Sequence, residues 1–168
     1  MSFRVGIILP KNINLELYTK IYNKYNTKLI RYNGLVLPNY YTNEEVIYSI
    51  SEYGDDSNSG IGSYEIYNYP LNKVYSCFEG EQTKTWLIQD FLKRKDQLEK
   101  DANKWANIIK EILQEKNIQR IGIFHFDGHT LKEKIHLDTF TIINHTYDNI
   151  QIKDIINIGV GEIHFWNA

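Results

Sequence analysis

Hydrophobic positions along this chain switch between a period near two and a period near 3.6, and each switch predicts an element. Phe3–Leu9 is rich in β-branched and large apolar residues and stops at Pro10, which predicts a first strand. Asn14 can cap a helix over Leu15–Tyr25, where Leu17, Tyr18, Ile21, Tyr22 and Tyr25 recur at three- and four-residue spacing. Lys28–Tyr32 and Leu35–Leu37 flank Asn33-Gly34, a strong hairpin signal because both turn positions favour positive φ. Thr42 or Asn43 then caps an expected short helix with Val46, Ile47, Ile50 and Tyr53 inward and Gly54 at its end. Asp55–Gly62 has the composition of a loop. Ser63–Tyr69 and Asn72–Phe78 are expected as two strands around Pro70-Leu71.

The longest helical pattern covers Thr83–Asn117. Its core lies near 92–116 and carries a stripe of Trp105, Ile108, Ile109, Ile112 and Leu113, while Lys93–Asp101 is charged and expected in solvent. Thr85–Leu92 fits a helical start and a separate strand equally well. Strands are expected at Ile118–Phe126, over the alternating residues Leu131, Glu133, Ile135 and Leu137, at Thr139–His145 and at Glu162–Trp166, with Ile150–Val160 unassigned. Helices and hairpin-type strands mix without a regular βαβ alternation. The expected fold is therefore α+β, with a mostly antiparallel or mixed sheet and two to four helices. With no repeat, linker or low-complexity tract, residues 1–168 read as one domain.

Composition narrows the function classes. A formal charge of −2 gives no global basic signal for nucleic acid, and one cysteine, Cys77, gives no disulfide framework or multi-cysteine metal site. No apolar run approaches the length of a membrane span, and the amino-terminal run is too short for a secretory signal, so a cytoplasmic protein is expected. Abundant Ile, Asn, Lys and Tyr with only 4 Arg suggest an AT-rich, bacterial-type genome.

Charge and tyrosine are both segregated. Residues 1–43 carry +5, residues 44–83 carry −7, and the remainder balances. Twelve of the 13 tyrosines fall between Tyr18 and Tyr75. The acidic middle holds Glu44, Glu45, Glu52, Asp55, Asp56, Glu65, Glu79 and Glu81 against Lys73 alone. Acids among tyrosines suit an interface with a basic protein, since tyrosine combines rigid area with a polar tip and charge complementarity speeds encounter. The opposing expectation is that these acids scatter, or pair with the basic amino-terminal block.

Candidate chemistry is sparse. His125-Phe126-Asp127-Gly128-His129 places His125 and Asp127 on one strand face and could bring His129 back across a turn. That set would suit zinc or non-haem iron in a small hydrolase or nuclease, with His136, His145 or His164 completing it. Glu162 and His164 share a strand face and could form a base and its orienter, but no nucleophile accompanies them. Cys77 fits a small buried hydrophobe, and the Gly60 and Gly159 turns match no phosphate or dinucleotide fingerprint. Lys20, Lys24 and Lys28 interleave with tyrosines, yet those tyrosines fit a buried stripe, so no nucleic-acid partner is expected.

A small, motif-poor α+β chain with an acidic segment has the general character of immunity proteins, which neutralise bacterial toxins by covering a basic active surface. The expectation is a non-enzymatic protein-binding inhibitor of a basic, nuclease-type toxin domain, without cofactor or metal. The alternative is the metal-dependent hydrolase built on His125, Asp127 and His129.

Overall fold

The structure is a computed structural model that describes residues 3–11, 13–31, 45–50, 59–74, 80–127 and 137–168. Six strands build one mixed sheet: β1 (Phe3–Pro10), β2 (Ile30–Arg31), β3 (Glu45–Ser49), β4 (Arg120–Asp127), β5 (Thr141–Thr146) and β6 (Glu162–Asn167). Their order is β2-β3-β1-β4-β6-β5, antiparallel throughout except for the parallel pair β5–β6. The helices are α1 (Leu15–Tyr25), α2 (Tyr64–Tyr67), α3 (Leu71–Val74), α4 (Glu81–Leu113) and α5 (Ile152–Ile156). The α+β expectation holds, with the sheet mixed and one long helix present.

Alternation along the strands sorts residues onto two faces. Val5, Ile7 and Leu9 of β1, Val46 and Tyr48 of β3, Ile121 and Ile123 of β4, and Trp166 of β6 join one buried cluster with the helices. Against them α1 packs Leu17 and Ile21, α4 packs Trp105, Ile108, Ile109 and Ile112, and α5 packs Ile155 and Ile156. The opposite face holds Ile8, Ile47, Phe124, Phe126, Ile163 and Phe165, with Leu137 and Phe140 packed onto it. The Phe124 ring lies across Gly6 so closely that a Cβ there would stand 2.1 Å from it, which explains the glycine in the middle of a buried strand.

On that second face Glu45 and Arg120 meet across the central strand. The Arg120 guanidinium donates two hydrogen bonds of 2.8 Å to the carboxylate, and it lies 4.4 Å from the centroid of the Phe165 ring. A planar fork matched to a carboxylate satisfies a charge that would otherwise be costly to bury.

Helix α1 matches its expected bounds. Asn14 caps it through a side-chain acceptance from the Glu16 amide (3.0 Å), and Asn26 ends it in the left-handed conformation at φ 51°. Thr85–Leu92 opens α4 rather than forming a strand, so this helix starts at Glu81, upstream of the expected core near 92–116.

Two expectations fail. The short helix over Val46–Tyr53 is replaced, over its described part, by β3. Val46, Ile47 and Tyr48 are buried on both sheet faces, and a strand buried on both sides loses the alternation that would identify it. The strands at Ser63–Tyr69 and Asn72–Phe78 are replaced, where described, by helical turns α2 and α3, which pack beside α4. Tyr67 and Asn68 donate amides to Ser63 and Tyr64, so β-rich composition yields here to local capping and tertiary contact. The Asn33-Gly34 turn, Asp55–Asn58, Cys77, Gly128 and Leu131–His136 lie outside the described residues; the described part of β2 pairs with β3.

Candidate functional site

Two regions carry the chemistry, one at the surface and one under α5. The surface region comprises α2, α3 and the amino half of α4. Leu98 is the first fully buried residue of α4, although the helix has already run for more than four turns. Lys95 lies over the Tyr67 ring, 4.5 Å from its centroid, and Tyr69 meets Phe91 at 6.3 Å between centroids. Around these contacts Tyr64, Tyr69, Leu71, Leu92 and above all Trp86, 63% exposed, present large apolar surface to solvent.

The expected acidic partner surface is only partly visible. Glu65 lies in α2 and Glu81 opens α4, both in this region of the chain. Glu44, Glu52, Asp55, Asp56 and Glu79 lie outside the described residues. Glu45 must be removed from the surface set: it is 7% exposed, and its carboxylate is occupied by Arg120. Pairing with the basic amino-terminal block is not what happens at α1. Lys20 and Lys24 instead reach Glu111 of α4, and the Tyr25 hydroxyl donates to the same carboxylate at 2.6 Å. Burial pushes the Glu111 carboxyl up, but the hydrogen bonds from Lys24 and Tyr25 and the nearby Lys20 charge hold it below the ordinary value.

The second region was only half visible in sequence. Glu162 and His164 do share the helix-side face of β6, with 3.2 Å between a Glu162 carboxylate oxygen and His164 Nε2. The same Glu162 oxygen accepts from the Gly159 amide at 2.8 Å. Beyond them the parallel β5–β6 register brings in His145, whose Nε2 lies 2.9 Å from His164 Nδ1. The ring centroids are 5.1 Å apart and the planes differ by 21°. With that nitrogen separation, the rings meet edge to edge as hydrogen-bonded imidazoles do. Asp154 of α5 faces the other nitrogen of His145 at 3.9 Å, and the Trp166 ring lies parallel to His145 at 4.9 Å and 15°.

The result is a line of four groups: Asp154, His145, His164, Glu162. Burial lowers the pKa of His145, Asp154 opposes the shift and His164 adds to it. For Glu162, burial raises the carboxyl, but the Gly159 amide and His164 outweigh it and leave the pKa low.

The alternative metal set lies largely outside the described residues. His125 is 4% exposed on β4 and packs beneath Gly62, where a Cβ would stand 2.4 Å from its Nδ1. Asp127 ends β4, and His129 lies outside the described residues. No group of three potential metal ligands occurs among the described residues, and none of their helices is long and apolar enough to cross a membrane. Sequence reasoning missed the His145–Asp154 half of the line because the two residues come from different elements joined only by the β5–α5–β6 crossover. No protein-family model, curated protein or solved structure matches this chain.

Proposed function

We propose that this chain is a non-enzymatic inhibitor of the immunity type, which binds a basic toxin domain, nuclease-like in charge, and covers its active surface. The observation that carries this proposal is the exposed Trp86, Tyr64, Tyr69 and Leu71 on α2, α3 and the amino half of α4, within or next to the acidic run of the sequence. Exposed large aromatic residues next to a charged run of sequence have the composition of an interface core with a polar rim. Two lysines of the basic block are engaged by Glu111, which lies outside the acidic segment. The proposed binding surface comprises these apolar residues; Glu65 of α2 and Glu81 of α4 lie on the same elements, and Glu44, Glu52, Asp55, Asp56 and Glu79 belong to the same acidic run of the sequence.

The test is capture from a lysate of the source cell on immobilised wild-type chain and on Trp86→Ala, each washed across a salt series. A single stoichiometric basic protein is expected on the wild type, released as salt rises and reduced at least tenfold on the variant. The captured protein's own activity should be abolished by one equivalent of this chain. Identical capture on both chains, or a captured protein that stays active in the complex, overturns the proposal.

A further inference from the structure

The half-buried line from Asp154 to Glu162 has a polarity that its distances decide. A neutral imidazole carries one N–H, so each ring can donate through only one nitrogen. The 3.2 Å contact to the Glu162 carboxylate requires His164 to donate from Nε2, because a bare nitrogen there would face an acceptor. His164 Nδ1 is then the acceptor, and the 2.9 Å contact requires His145 to donate from Nε2. His145 Nδ1 is left bare, facing Asp154 at 3.9 Å, beyond hydrogen-bond length. The reverse polarity would place a short lone-pair clash at Glu162 and leave its only compensation across the long Asp154 gap.

We propose that His145 and His164 form a directional hydrogen-bond relay with a single basic site, His145 Nδ1, whose protonation converts the open Asp154 contact into an ion pair between β5 and α5. One proton taken from hydronium forms the Nδ1–H bond as the hydronium O–H bond breaks and leaves water. The relay's other hydrogen bonds keep their direction. The Trp166 ring face beside His145 supports the resulting imidazolium, as an indole does for a cation. The device therefore reports proton activity to the one crossover that joins the two parallel strands.

Among the described residues, the charged and titratable groups around the pair are few. α5 contributes Asp154 inward and exposed Lys153, β6 contributes Glu162, and β4 contributes buried His125 on the same sheet face. The segment between β5 and α5 adds exposed Asp148 and half-buried Tyr147, whose hydroxyl accepts from Gln114. α4, which packs on α5, turns isoleucines inward and has its own partly buried acid, Glu111, engaged by α1.

Side-chain nitrogen NMR on the full chain decides the matter without a variant. Both His145 and His164 should appear as Nε2–H tautomers at neutral pH, and on acidification His145 Nδ1 should take up the first proton. Asp154→Asn keeps the shape and removes the charge, so His145 should titrate at lower pH while both tautomers stay as they were. A bare Nε2 on His164, first protonation at His164, or an unmoved His145 titration in Asp154→Asn would overturn the relay.

Discussion

The two halves of α4 belong to one continuous helix yet are built on different principles. In the carboxyl half, Leu98, Ala102, Trp105, Ala106, Ile108, Ile109, Ile112 and Leu113 are all buried. At 100° per residue they occupy an arc of about 160°, a face that one sheet can cover. In the amino half, Trp86, Leu87, Ile88, Phe91 and Leu92 spread over about 240° at the same rotation, wider than one contact surface, and none is fully buried. Among the described residues this half has two exposed pairs along the helix, Asp90–Arg94 and Asp96–Lys100, and two contacts with the α2–α3 segment, Lys95 over Tyr67 and Phe91 against Tyr69. The apolar residues of the carboxyl half specify the fold, whereas Trp86 and Leu92 of the amino half stand in solvent.

The largest expected effect comes from cutting the buried half. Trp105→Ala removes a side chain that is 1% exposed and should cost about 3–5 kcal/mol, read as a lowered denaturant midpoint. Ion pairs should divide in the same way. Arg120→Ala strands the buried Glu45 carboxylate and should cost about 3 kcal/mol. Arg94→Ala breaks an exposed pair at 3.9 Å and should stay within about 0.5 kcal/mol of wild type in the same assay. Equal costs for the two arginines would dissolve the distinction between the packed sheet, where Arg120 sits on β4, and the exposed amino half of α4, where Arg94 sits.

This contrast also explains what could be seen in the sequence. The carboxyl stripe of α4 and the α1 helix were legible because each buries one face, so period and burial coincide. β3 was not, because Val46–Tyr48 is buried on both sides and an unbroken apolar run carries no period. α2 and α3 were not, because a single turn of helix packed beside α4 is too short for its composition to overrule contact. The same limit applies to the site. Glu162 and His164 lie two residues apart on one strand and were visible as a pair, whereas the Glu45–Arg120 and His145–His164 contacts depend on strand order, which no local pattern encodes.

Acid should lower the stability of the folded chain. Burial holds His145 below the usual histidine value, so the unfolded chain binds that proton before the folded chain does. Stability from this group is whole at neutral pH, falls as pH drops through about 6.5, and stops falling below the folded-state value. Glu162, held low, contributes above the ordinary carboxylate range and loses that contribution as pH falls through its own folded value. Chemical denaturation at pH 7.5 and pH 5.0 should give a lower midpoint at pH 5.0, with the difference reduced in His145→Gln. An unchanged difference in that variant would place the acid sensitivity elsewhere.

The smallest expected change in stability tests the comparison most directly. Trp86 has the same side chain as Trp105 on the same helix, but is 63% exposed against 1%. Trp86→Ala should therefore leave the denaturant midpoint within about 0.5 kcal/mol of wild type, because little area returns to water that was not already there. Helix content by circular dichroism should also hold, since alanine favours helix at least as well as tryptophan. Binding to a basic partner should nonetheless fall at least tenfold, because an exposed tryptophan buried only in the complex contributes where the folded chain alone cannot register it. A tryptophan that costs stability and spares binding would move the amino half of α4 from the interface into the core. One that costs binding and spares stability fixes it as surface kept open for a partner.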